Sequence, residues 1–236
     1  MNKKLQYELL LLVLVTIVIF NLAIVFTSQE ESATNYYNIT EVGHNVNGTV
    51  YKIVAGNASS NDTVGVILGV HPREHEIHDA INKTVYNITH SNDRNLTKKY
   101  VIYYVKVKDS LTTREDTRPA GELLANKFIV NNIAKDKPFI VVDVHEINPD
   151  YEYSNFIFPL SNKTDKVNSY LATLSKEVNL VNFEFNEGTS PEKVTKPIAK
   201  KGIPTYLMET SITDSATQKQ HTAINLINSL DGLKPL

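Results

Sequence analysis

Apolar and polar positions alternate in blocks along the chain, and the period of each block predicts an element. Residues 63–70 read Thr-Val-Gly-Val-Ile-Leu-Gly-Val, a nearly continuous apolar run of the kind buried on both faces inside a sheet. Residues 49–54 form a shorter strand before it. A helix is predicted over 75–88, a strand over 100–107, a helix over 120–133, and an apolar strand over 139–144 introduced by Pro138. Then come a strand over 155–159, a helix over 165–178, strands over 180–185 and 203–209, and a closing helix over 216–230. Strands alternating with helices predict a layered α/β domain around a largely parallel sheet.

One block breaks this rhythm. Residues 9–26 run without a charge and are long enough to cross a bilayer as a helix. Lys3 and Lys4 precede the run, and Glu30 and Glu31 follow it. The positive-inside bias therefore predicts a membrane anchor with the N-terminus in the cytoplasm and the remainder outside. A cleaved signal peptide on a secreted protein is the alternative. Residues 28–36 are polar and patternless and read as a stalk, which leaves 37–236 as one domain. N-x-S/T sequons from Asn38 to Asn162 suit an exported surface. With 21% charged residues and a formal net charge of -2, the chain has no basic footprint for nucleic acid. The absence of cysteine removes disulfides, thiolate ligands and cysteine nucleophiles.

In open α/β sheets ligands bind outside the carboxyl ends of the strands, so polar residues at those ends are the first candidates for chemistry. Three apolar strands end suggestively: one runs into His71-Pro72-Arg73-Glu74, one into Asp143-Val144-His145-Glu146, and one into Leu207-Met208-Glu209-Thr210. Two histidines and a carboxylate make a three-ligand zinc site, and a further glutamate can serve as base. The H-x-x-E spacing suits a strand-to-helix turn, with Pro72 stiffening it where no helical N–H is needed. Taken singly, His71 and Glu74 also read as surface residues, His145 as a polar end to a buried strand, and Glu209 as a helix-flanking acid. Asp143 shares a face with His145 and is placed either to orient it or to pair with backbone.

In this order the motifs resemble the zinc carboxypeptidase superfamily, which includes succinylglutamate desuccinylase and aspartoacylase-like hydrolases. The resemblance rests on His71-Pro72-Arg73-Glu74, Asp143-Val144-His145 and the strand Thr205 to Glu209, and residues 41–51 are similar to the family's opening hairpin. It implies a three-layer α/β/α fold with a mixed, largely parallel sheet. It also implies a Zn2+ cofactor held by His71, Glu74 and His145, with Glu209 as general base. Arg73 and Arg118 are then the expected substrate contacts, and the substrate is a peptide or an N-acyl amino acid. Two family features are missing. No Asp-Leu-Asn-Arg-Asn segment lies between Val107 and His145, where only Arg114 and Arg118 are candidates to hold a carboxylate, and no tyrosine lies between Tyr170 and Tyr206.

Other readings remain open on the residues alone. His71-Pro72-Arg73-Glu74-His75 also matches H-x-x-E-H, in which His71 and His75 bind zinc from one helical face, Glu74 is the base, and Glu146 or Glu152 completes the site. On the carboxypeptidase-like reading, His75 and His78 lie near the site mouth and are not ligands. A non-catalytic, membrane-tethered binding domain is a further alternative, because fold does not guarantee chemistry.

Overall fold

The computed structural model describes residues 35–91, 93–185 and 187–235. The expected anchor over 9–26 and the expected stalk up to residue 34 lie outside them. Among the described residues no helix is long and apolar enough to cross a membrane. In chain order the elements are β1 (Asn35–Asn45), β2 (Gly48–Asn57), β3 (Thr63–Leu68), α1 (His75–His90), β4 (Lys99–Val107), α2 (Arg114–Phe128) and β5 (Ile140–Ile147). They continue with β6 (Phe156–Pro159), α3 (Asp165–Val178), β7 (Val181–Asn182), α4 (Lys196–Ala199), β8 (Thr205–Ser211) and α5 (Ala216–Gly232).

The strands form one mixed sheet in the order β1-β2-β4-β3-β5-β8-β6-β7. Its centre is parallel, with β3 between β4 and β5, and β8 beside β5. Antiparallel β1, β2 and β6 flank that centre. The chain leaves β3 to one side for β4, then crosses back to the other side for β5. This reversal opens a crevice at the carboxyl ends of β3 and β5, the position where open α/β sheets bind ligands.

Side chains alternate across each strand, so two cores form. Val64, Val66 and Leu68 of β3 and Val142 and Val144 of β5 pack beneath α1, α3 and α5. Ile67 and Val141 face the other way, against Leu124 and Ala125 of α2 and Ile198 of α4. The three-layer α/β/α arrangement follows. The period of two also puts Asp143 and His145 on the same face as Val141, toward the α2 layer.

Four expectations change. Strand β1 takes in residues 35 and 36, expected as stalk. It is an edge strand exposed along most of its length, so its sequence carries no apolar alternation. Helix α2 begins at Arg114, not at residue 120, because Thr113 caps it by accepting from the Asp116 N–H and the helix runs through Pro119. The strand expected over 180–185 contracts to Val181–Asn182. Its aromatic residues Phe183 and Phe185 instead pack against Phe156, with ring centroids 5.4 and 5.5 Å apart. A wide helical turn, Pro191–Thr195, leads into α4 where no element was expected.

Candidate metal centre

The three strand ends singled out in the sequence meet at the crevice. After β3 the chain turns through Gly69, whose φ of 78° is left-handed; a Cβ there would lie 2.2 Å from the Val105 carbonyl oxygen, so only glycine fits. His71 follows in extended conformation, and a tight turn over Pro72–Glu74 leads into α1. That turn, closed by the Glu74 N–H donating to the His71 carbonyl at 3.0 Å, brings Glu74 back toward His71.

His71, Glu74 and His145 are all buried. His71 Nδ1 lies 2.9 Å from Glu74 Oε1, His145 Nδ1 lies 3.0 Å from Glu74 Oε2, and the two Nδ1 atoms are 3.1 Å apart. A tetrahedral zinc ion with bonds of about 2.1 Å separates its donor atoms by roughly 3.4 Å. The three donors therefore form nearly one face of such a polyhedron. The outer nitrogens support the same arrangement. His71 Nε2 lies 3.3 Å from Glu122 Oε1, and His145 Nε2 has Ser190 Oγ at 3.4 Å. Asp143 Oδ1 sits 3.1 Å from His145 Nε2 as a charge partner, set off the axis of a hydrogen bond. Acceptors behind both rings favour a proton at Nε2 and turn the Nδ1 lone pairs inward, as ligation by imidazole requires. The residues fit a divalent cation.

Among these side chains alone the imidazoles and the carboxylate pair with one another. Burial opposes the charge on Glu74, but hydrogen bonds from His145 and His71 outweigh it and hold the carboxyl below the usual range. A binding cation would therefore displace protons from this cluster. Burial likewise opposes protonation of His145, and Asp143 and Glu74 overcome it and raise its pKa well above an ordinary histidine. Glu209 stands beside His145 in the parallel β5–β8 register. It borders the cavity, yet its Oε2 is sealed from solvent without a hydrogen-bond partner. Burial, reinforced by the neighbouring Glu74 charge, pushes its pKa up to about 8 against the opposing pull of His145 and Arg118.

Two adjoining cavities open over the cluster. The first, about 450 Å3, has His71, Glu74, His145 and Glu209 at its base and Tyr151, Phe185, Ile147 and Leu207 along its wall. The second, about 330 Å3, is bordered by Arg73, Arg114 and Arg118. Arg118 lies 3.6 Å from Glu74 Oε1 and 3.7 Å from Glu122 Oε1. His75 is exposed at the start of α1 and stands outside the cluster, so the H-x-x-E-H pair does not form. Glu152 is exposed, and Glu146 is buried on the opposite face of β5 from His145. His78, expected near the site mouth, is fully buried beneath it. It accepts from the Gly69 N–H at 3.2 Å and donates to the Val144 carbonyl at 2.8 Å, tying the end of β3 to β5.

The sequence reading missed Glu122, Ser190, Thr195 and Tyr151. Glu122 follows Arg118 by one helical turn, and the spacing of Thr113 to Asp116 is the capping signal that would have extended α2 over both. Thr195, which donates to Asp143 Oδ2 at 2.6 Å, and Ser190 arrive on the helical turn after β7, for which the sequence has no comparable signal.

No family model and no curated protein matches the chain by sequence. Solved structures do match by shape. A metallo-carboxypeptidase from Burkholderia cenocepacia aligns with a TM-score of 0.55 at 12% identity, over 89% of this chain and 66% of that one. The chain has the metallo-carboxypeptidase fold. The succinylglutamate desuccinylase from Chromobacterium violaceum shares this fold, with a TM-score of 0.52 at 10% identity over 86% of this chain and 74% of that one. So does an aminopeptidase from Legionella pneumophila, at 0.53 and 10% over 84% of this chain. The chain spans 58% of that aminopeptidase and about two thirds of the Burkholderia enzyme.

Proposed function

We propose that the chain is a zinc-dependent hydrolase of amide bonds, acting on a peptide or an N-acyl amino acid, with His71, Glu74 and His145 as metal ligands and Glu209 as general base. The observation that carries this reading is the convergence of two inward-facing Nδ1 atoms and one carboxylate, 2.9 to 3.1 Å apart, at the base of a cavity. When bound, zinc would polarise the scissile carbonyl and lower the pKa of the attacking water. Glu209 takes the proton of that water and delivers it to the leaving amine; it stands beside His145 at the cavity base with a carboxylate oxygen free of hydrogen-bond partners among the described residues. A pure binding domain has no need for an unpartnered buried carboxylate beside the ligand set.

Arg73 and Arg118 are assigned to substrate oxygen atoms, and Arg114 joins them. Arg118 already faces two carboxylates, whereas Arg73 and Arg114 make no ion pair among the described residues. The cationic cavity thus suits a substrate carboxylate without the missing Asn-Arg segment. An N-acyl amino acid offers such a carboxylate as readily as a peptide C-terminus does. The anchored, outward-facing placement read from residues 9–26 would give this site access to peptides outside the cell.

Two substitutions test the roles. The purified protein should contain one zinc per chain by elemental analysis. Glu209→Gln should retain it and lose about 10²- to 10⁴-fold in kcat against a substrate found by screening C-terminal dipeptides, wall peptides and N-acyl amino acids. Glu74→Gln should lose zinc. A fully active Glu209→Gln protein would sink the mechanism, and full zinc occupancy in Glu74→Gln would sink the ligand set.

A further inference from the structure

Residues 145 and 146 point to opposite faces of β5, and a second buried ionic group lies on the face behind the cluster. Lys219, in the second turn of α5, is 1% exposed. Its ammonium donates to Glu76 Oε2 and to the Ile212 carbonyl at 2.9 Å, and pairs with Glu146 Oε1 at 2.8 Å. Each partner adjoins a different candidate site residue: Glu76 follows Glu74 by two, Glu146 directly follows His145, and Ile212 follows Glu209 by three. The link to the cluster is closed through backbone, because the Glu146 N–H donates to Glu74 Oε2 at 3.2 Å. The buried Glu146 carboxylate is held by Lys219 and by the Ile77 backbone, so Lys219 is the countercharge of this group.

We propose that Lys219 is a positioning residue for the metal centre, fixing the first turn of α1, the end of β5 and the segment after β8 around one point so that the donor atoms converge. Stability alone does not account for it. Apolar residues of similar volume often replace a buried ion pair with no loss of stability, but they cannot hold three separate segments to one direction each. The inference rests on the metal reading above.

The test uses the full chain carrying Lys219→Met together with Glu146→Gln, so that no charge is left stranded. Lys98→Met serves as a control; Lys98 is also buried, but donates to the Asp231 carbonyl at 2.7 Å, before β4 and away from the strand ends that carry the site. Zinc affinity is measured by competition with a chromogenic chelator, the Co2+-substituted absorption bands report ligand geometry, and circular dichroism reports the fold. The double variant should remain folded, bind zinc about 10- to 100-fold more weakly and show shifted Co2+ bands, while Lys98→Met matches the wild type. A folded double variant with wild-type affinity and bands overturns the proposal. So does one that cannot fold, since Lys219 would then be a folding residue. A wild-type chain that binds no zinc removes the metal reading itself, and the inference with it.

Discussion

Two buried side chains set the properties of the centre from outside it. Glu122 is 1% exposed and sits behind His71, where Lys193 donates to its Oε2 at 2.6 Å and Thr189 donates to its Oε1. Glu122→Gln should therefore weaken zinc binding about 10- to 100-fold through the orientation of His71, while leaving the fold intact by circular dichroism. An unchanged zinc affinity would remove this role. His78 acts on stability instead. Burial lowers its pKa to about 4, against the Glu74 charge that favours protonation. The unfolded chain binds that proton near pH 6.5, so its contribution is complete above that value and declines as pH falls toward 4, by about 3 kcal/mol in all. Urea unfolding in the presence of chelator should show a shallower loss between pH 7 and 4 for His78→Gln than for the wild type. Parallel pH profiles would reject the assignment.

At the scale of elements, the site depends on how closely α2 approaches the end of β3. A Cβ on Gly121 would lie 1.9 Å from the Val70 carbonyl oxygen, immediately before His71. Helix and strand end touch through backbone there, and no side chain can yield. Gly121→Ala should cost about 1–3 kcal/mol in denaturant unfolding, as overpacking does, and should weaken zinc binding because the displaced segment carries the proposed ligand His71. Loss of stability with unchanged metal affinity would show that the helix supports the fold without setting the site. The same helix carries Arg114, Arg118 and Glu122 at one-turn spacings, which places the cationic cavity and the support behind His71 on one rigid element.

For the whole molecule, the proposed ligands come from segments far apart in sequence, so a bound metal would link elements that the unfolded chain does not bring together. Zinc that binds the folded state alone at 100 times its Kd should stabilise by about 2.7 kcal/mol. For a domain of this size that raises Tm by roughly 5–11 °C, and chelator should reverse it. A Tm insensitive to both zinc and chelator would argue against the centre. The two adjoining cavities share His71, Glu74, Arg114 and Arg118 in their linings, so a group bound in one would stand beside the other.

The sequence by itself determined the layered α/β class and the apolar central strands, and singled out His71, Glu74, His145 and Glu209 as the candidates that the fold brings together. Buried strands are written as continuous apolar runs, and a polar residue that ends such a run is visible without a structure. The resemblance to zinc carboxypeptidases was legible for the same reason, because short motifs at strand ends keep their order along the chain. The first residues of β1 were hidden, since this edge strand is exposed along most of its length, while residues 41–45 were legible as part of an opening hairpin. The start of α2 was hidden by Pro119, whose ring usually marks a boundary. Only tertiary structure decided that His78 lies beneath the site, that His75 stands outside it, and that Glu122, Ser190, Tyr151 and Lys219 belong around it. Each of these looks like an ordinary surface or core residue in its local sequence. Its role is set by the crossing from β4 back over β3 to β5, and by loop and helix packing that no local period records.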